Sequence, residues 1–155
     1  MKDHLFEQSQ VMEDRHLYDK AVFHTLLRRH KELRREVTYL PDGIRAVTTS
    51  DQPDLVRLIQ EHAQAMHQRM SEGFGLRFWD PAFLEIFAQA DAIVFKIGML
   101  PNGVVANSTS EDPNVVKLIY THAQAVSSFV DEGFIAARRA TSLPEGYFRK
   151  LSGED

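Results

Sequence analysis

The chain of 155 residues contains no cysteine and carries a formal net charge of −4, with 43% hydrophobic and 26% charged residues. This composition is typical of a single soluble globular domain, and the lack of cysteine excludes disulfides, thiolate metal sites and cysteine nucleophiles. The negative charge argues against nucleic acid as a partner, and no apolar run approaches the roughly 20 residues of a membrane span. We therefore expect a cytoplasmic protein, or a periplasmic one whose leader is absent from this sequence.

The first part of the chain is predicted to form an N-terminal arm, a helix and a strand. Residues 1–17 are mostly polar and give the arm. From Tyr18 to His30 the apolar residues recur on one arc at ~100° per residue, which predicts a helix. A strand through Leu33 and Val37 follows, although Arg35 interrupts its apolar phase.

A tight turn and a long amphipathic helix complete the first unit. The sequence LPDG at 40–43 predicts a turn, because proline presets φ and Asp-Gly tolerates positive φ. The chain then returns as a strand at 44–49, and Pro53 opens a long helix that Gly73 is placed to end. The apolar arc of this helix contains Leu55, Leu58, Ile59, His62, Ala65, Met66 and Met70.

The segment 58–66, LIQEHAQAM, recurs at 118–126 as LIYTHAQAV, which is an offset of 118 − 58 = 60 residues. The same offset carries LPDG at 40–43 onto LPNG at 100–103, and EGF at 72–74 onto EGF at 132–134. Two copies are too few for an open solenoid and indicate one duplicated domain. Repeat one is predicted at 18–77 and repeat two at 78–137, within a domain at 18–140 that a polar C-terminal tail at 141–155 follows.

The second repeat predicts the same elements with clearer signals. Asp80-Pro81 caps a short helix, residues 93–99 alternate apolar with polar, and a returning strand is expected at 104–109. Two hairpins of this kind give four mostly antiparallel strands. The fold class is therefore predicted to be α+β, a duplicated helix–β-hairpin–helix unit that forms a four-stranded sheet with helices on one face and pseudo-two-fold symmetry.

A histidine occupies the centre of each long apolar helix face, at His62 and His122. If the two helices pack side by side, the imidazoles approach each other or face a shared cavity. Two such rings satisfy their nitrogens by coordinating one metal ion or a haem iron. The alternative is that each is a core residue bonded to a backbone carbonyl or a threonine hydroxyl.

In the helix predicted at 18–30, His24 lies at the edge of the apolar arc and His30 lies on it. Their counterparts 60 residues later are Leu84 and Ala90. A site that adds His24 or His30 to His62 and His122 would be asymmetric and open to a ligand on one side. Three imidazoles with an open position suit zinc or copper, and two suit a bis-histidine haem. No local spacing corresponds to a dedicated zinc motif.

Further candidates for cofactor contacts are Met66, Phe83 and Phe87. Met66 and Met70 continue the face of His62 at helical spacing, which suits copper(I). Valines replace them in repeat two, so core packing is the simpler interpretation of both methionines. Phe83 and Phe87 belong to an aromatic cluster that could wall a haem or flavin, or form the core where the two units join.

Phe23-His24, LPDG at 40–43, Thr49-Ser50 before Pro53 and the paired HAQA segments resemble a group of uncharacterised bacterial proteins. The resemblance covers about residues 18–134. It implies a single duplicated domain and supplies no mechanism, because no activity is established for that group.

The predicted function is a small soluble binding protein that holds a transition metal (zinc, copper or iron) or haem through buried histidines. The alternative is a structural or protein-interaction domain, a homodimer, whose histidines are core residues without a ligand. No G-x-S-x-G, P-loop or dinucleotide motif is present, so the sequence favours binding over catalysis. An enzyme with His62 or His122 as general base is a third class.

Overall fold

The computed structural model describes residues 2–73, 75–77 and 79–149, with side chains from residue 10 onward. A helix, two strands and a second helix occur twice in succession, as predicted. The first set is α1 (Lys2–Arg28), β1 (Leu33–Leu40), β2 (Gly43–Ser50) and α2 (Pro53–Glu72). The second is α3 (Pro81–Ala88), β3 (Val94–Leu100), β4 (Gly103–Thr109) and α4 (Pro113–Glu132), followed by the short α5 (Phe134–Ala137).

The four strands form one antiparallel sheet in the order β1-β2-β4-β3. At its centre Ala46 of β2 pairs with Ala106 of β4, the residue 60 positions later. On either side of this pair, Arg45 pairs with Asn107 and Val47 pairs with Val105. The pairing is therefore symmetric about the two alanines, and a local two-fold axis passes between them. The predicted α+β class, strand pairing and pseudo-two-fold are confirmed.

The two long helices cover one face of this sheet. α2 packs on β2, β3 and β4, whereas α4 packs on β1, β2 and β4. Both helices have proline in the first turn, and Gly73 ends α2 in the left-handed conformation at φ +83°, which a glycine adopts at no steric cost. Leu55 and Leu118, 63 residues apart in the two apolar arcs, are fully buried.

The segment predicted as an N-terminal arm continues directly into the first helix of the domain. α1 is a single helix of 27 residues. Arg15 forms an ion pair with Glu72 at 2.8 Å, and the Tyr18 hydroxyl donates to Glu61 at 2.7 Å. These polar contacts attach α1 to α2.

The C-terminal segment lies against α3. Thr141 donates its backbone N–H and its hydroxyl to Asp80, at 3.0 and 2.9 Å. The Tyr147 hydroxyl donates to the buried Glu85 at 2.8 Å. Asp80 is fully buried, accepts two first-turn amides of α3 and pairs with Arg77 at 2.6 Å. The Asp80 carboxylate therefore connects three parts of the chain: the segment between α2 and α3, helix α3 itself and the C-terminal segment.

β2 and β4 approach too closely at their ends for a side chain to fit between them. A Cβ at Gly103 would collide with the carbonyl oxygen of Thr48. We expect Gly103→Ala to lower the free energy of unfolding by about 3 kcal/mol, because main chain cannot yield without breaking the strand ladder. Urea unfolding followed by circular dichroism measures the loss. Gly98→Ala in β3, where a Cβ would meet only a valine side chain, is the control, and equal losses would contradict the prediction.

Candidate functional site: an internal cavity

A cavity of about 220 Å³ lies between the sheet and the helices. Its wall is largely apolar, and almost every wall position in repeat one has its counterpart 60 residues later in the wall as well. The local two-fold axis therefore relates the two halves of the cavity. Its polar wall residues are Arg35, Thr48, His62, Arg77, Ser108 and His122.

The structure brings His62 and His122 to this one cavity. His62 extends from α2, and its ring stacks on that of Phe23 with the centroids 5.6 Å apart. His122 extends from α4, with its ring centroid 4.6 Å from that of Phe83. The two phenylalanines are also 60 residues apart, so each imidazole contacts the equivalent aromatic ring of its own repeat.

The hydrogen bonding of His62 differs from that of a core histidine. Nδ1 of His62 is buried and has no hydrogen-bond partner among the described residues. His30 shows the contrasting arrangement, with its Nδ1 2.7 Å from the carbonyl oxygen of Val130. A buried ring nitrogen normally has such a partner, and the imidazole that lacks one here belongs to a residue of the cavity wall.

Both cavity histidines are neutral at pH 7. Their removal from bulk water lowers the pKa of each imidazole from 6.5 to about 4, because the fold disfavours the charged form. A neutral imidazole has one nitrogen lone pair for a metal or a donor, and one N–H for an acceptor. The charged groups that also act on these pKa values are Asp19 and Arg69 for His62, and Arg35, Asp80 and Arg77 for His122.

The other two candidate histidines lie away from the cavity wall. His30 is bonded to Val130 as described, and His24 lies in a surface cleft with its ring 5.5 Å from that of Phe134. Partial burial lowers the pKa of His24. Within the described ranges, no three histidine, aspartate or glutamate side chains are grouped so that they could hold a metal ion. A site built from all four histidines stays a prediction. The structure brings two of them, His62 and His122, to one cavity.

The three predicted cofactor contacts, Met66, Phe83 and Phe87, all line the cavity. Phe83 is in contact with the ring of His122, as described above. Phe87 belongs to the same buried cluster as Ile86 and Leu118, with Met66 packed against it. These side chains are therefore part of both the core and the cavity wall. Their contact with a cofactor stays a prediction.

Two wall arginines were not proposed from the sequence. Arg35 extends from β1, on the same face as Leu33 and Val37, and its interruption of their apolar phase was the signal that could have assigned it to the site. An inward position on a half-buried strand places a charge in the core, where charge is rare unless it has a role or a partner. Arg77 lies in the linker, which has no periodicity from which its burial could be predicted.

A surface cleft of about 450 Å³ adjoins the cavity and shares part of its wall. Lys20 and Arg138 bring positive charge to this cleft. Trp79 lies at its edge, with its ring centroid 4.4 Å from the guanidinium carbon of Arg77. The shared wall residues, which separate cleft from cavity, are Phe23, Leu27, Leu76 and Arg77.

No helix in the described part of the chain combines the length and apolar character required to cross a membrane. Comparisons of the chain with protein-family models, curated proteins and solved structures give no match. The function is therefore argued from the cavity and the side chains that line it.

Proposed function

We propose that the chain is a small binding protein whose ligand occupies the internal cavity and is contacted by His62 and His122. Two observations support this: His62 and His122 both line one largely apolar cavity, and the buried Nδ1 of His62 has no hydrogen-bond partner among the described residues. An unpaired buried polar group costs about 1–3 kcal/mol. A ligand that bonds to the imidazole offsets this cost.

The ligands proposed from the sequence, a transition metal or a haem, use the lone pair of a neutral imidazole. Two histidines supply two ligands to zinc, copper or iron, and no third ligating side chain is grouped with them among the described residues. The remaining coordination would come from a bound small molecule or water. A haem is larger than the 220 Å³ cavity, so it would require α2 and α4 to move apart.

Titration with zinc, copper(I), haemin and phenol tests this function. Phenol is included because its ring fits an apolar cavity and its hydroxyl can donate to an imidazole. We expect at least one of these to shift the side-chain ¹⁵N signals of His62 and His122. When the free concentration of the bound molecule is a hundred times its dissociation constant, binding should raise the free energy of unfolding by about 2.7 kcal/mol.

Two variants locate the binding. His62→Gln is expected to weaken it, because glutamine cannot replace the imidazole lone pair. Gln64→Ala, at an exposed position on the same helix, should leave binding unchanged. Imidazole signals that respond to none of the four additions would contradict the proposed function.

The second candidate is a homodimer in which the histidines have only a core role. It is favoured by the outer face of the sheet, which the described helices leave uncovered. On this face Val47 pairs with Val105, and Val94, near the end of β3, is exposed. Analytical ultracentrifugation decides it, since a homodimer has twice the 17.7 kDa mass of the chain. A monomer whose imidazoles bind ligand would reject this candidate.

A further inference from the structure

Among the described residues, one cavity-wall arginine has no carboxylate paired with its charge. Arg35 is half-buried on β1, and its Nε donates to the Ser127 hydroxyl at 3.1 Å while Nη1 donates to the Thr48 hydroxyl at 3.3 Å. Both partners are neutral. No carboxylate of the described residues acts on its pKa.

The two buried arginines of the described chain are arranged differently. Arg69 pairs with Asp19 at 2.9 Å, and Arg77 pairs with Asp80 at 2.6 Å. A charge removed from water normally has such a partner, because an isolated one is costly. Burial lowers the pKa of Arg35 to about 10, so the guanidinium remains charged at pH 7. An anion in the cavity would supply the missing partner.

Arg35 and His122 line the cavity from two elements that are packed together. α4, which carries His122, packs on β1, which carries Arg35, and Arg35 donates to Ser127 of α4. After burial, the positive charge of Arg35 is the largest contribution that lowers the pKa of the His122 imidazole. The guanidinium and the imidazole N–H can therefore offer donors to one anion. A carboxylate matches the fork of a guanidinium with two parallel hydrogen bonds and carries a single charge. A phosphate monoester would bring about 1.5 to 2 negative charges, more than one guanidinium offsets in an apolar space.

The opposite end of the cavity is aromatic. Phe95, 60 residues after Arg35, lines the cavity from β3. β1 and β3 are the two edges of the sheet, which are ~14 Å apart at the usual strand spacing. The substitution of phenylalanine for arginine at these equivalent positions gives the cavity one cationic and one apolar end.

We propose that the cavity binds a small apolar monocarboxylic acid, with its carboxylate on Arg35 and its hydrocarbon body directed toward Phe95. The proposal rests on the proposed function and names its ligand class. A cavity of about 150 Å³ accommodates benzene. By proportion, the 220 Å³ here corresponds to about nine non-hydrogen atoms, the size of benzoate, phenylacetate or octanoate.

Isothermal titration calorimetry with phenylacetate and phenylacetamide tests the proposal, because the two molecules share a shape and differ in charge. We expect the acid to bind the unaltered chain about 10- to 100-fold tighter than the amide, since hydrogen bonds to charged groups are the stronger ones. Arg35→Met keeps the length of the side chain and removes its charge. It should bind the amide and lose the preference for the acid.

Arg34→Met is the matched control, because Arg34 is the next residue, is exposed and pairs with Asp51 at 2.8 Å. It should keep the preference. Ser127→Ala, which removes one hydrogen bond of Arg35, should reduce the preference without removing it. The comparison of acid and amide on the unaltered chain needs no substitution, so it decides the question even if Arg35→Met does not fold.

Equal affinities for acid and amide overturn the proposal and leave the proposed function standing. A preference that survives in Arg35→Met also overturns it, and would assign the acid to the cleft with Lys20 and Arg138. Absence of binding by both molecules, with imidazole signals that still respond to a metal, rejects the carboxylic acid and keeps the histidine site. Imidazole signals that respond to no addition contradict both.

Discussion

A decrease in pH from 7 to 4 is expected to destabilise the protein by about 6 kcal/mol through His62 and His122. Each imidazole has a pKa of about 4 in the fold and 6.5 outside it. Below pH 6.5 the unfolded chain therefore takes up protons that the folded chain does not bind until about pH 4. The free energy of unfolding falls through this interval by about 3 kcal/mol for each histidine. The dependence fades as the pH rises above 6.5, because the unfolded imidazoles then also lose their protons.

The measurement is the free energy of unfolding in urea at several pH values between 7 and 5, an interval in which carboxylates hardly titrate. The double variant His62→Gln, His122→Gln is expected to show a much smaller slope, because glutamine takes up no proton. Gln64→Ala, on the exposed side of α2, should keep the slope of the unaltered chain. A double variant with an unchanged slope would show that the cavity histidines are solvated when the chain is folded.

Replacement of Asp80 by asparagine is expected to lower the free energy of unfolding by about 3–5 kcal/mol. Asparagine preserves the shape of the side chain and can still cap α3. It removes the charge that pairs with Arg77, which is buried and has its guanidinium 2.6 Å from this carboxylate. The arginine is then left as an uncompensated buried cation. Urea unfolding followed by circular dichroism gives the loss.

Asp112→Asn is the control for this substitution. Asp112 caps α4 in the same way, by accepting from the backbone N–H of Asn114 at 2.9 Å, but it is exposed and forms no ion pair within the described residues. We expect a change below about 1 kcal/mol, because asparagine and aspartate cap helices almost equally well. Similar losses at Asp80 and Asp112 would mean that capping, and not the buried charge pair, determines the effect.

The fold was predictable because its signals are local and occur twice. The turns LPDG and LPNG, the strand alternation and the apolar arcs of α2 and α4 each depend on residues close in sequence. The length of α1 was not predictable, because the attachment of this helix to α2 depends on Arg15 and Glu72, which are 57 residues apart. The tail is held in the same way, by Thr141 on a carboxylate 61 residues earlier. Periodicity contains no information about such polar pairs.

The candidate site was partly predictable for a related reason. An apolar arc indicates that a residue is turned inward, which placed His62 and His122 correctly on the inner side. It does not indicate the partner that the residue meets there. His30 is also turned inward, but its Nδ1 meets the carbonyl oxygen of Val130. Arg35 was visible only as an interruption of a strand pattern, and its neutral partners Ser127 and Thr48 come from two other elements.

The position of Trp79 gives this protein an optical reporter of its own. Trp79 is the sole tryptophan of the chain, and about half of its surface is exposed. Its indole lies over Arg77, whose guanidinium carbon is also 4.9 Å from the ring centroid of Phe83 in the cavity wall. A molecule that displaces this wall moves a cation across the face of the fluorophore. Emission from the unlabelled chain should therefore report when the interior is filled.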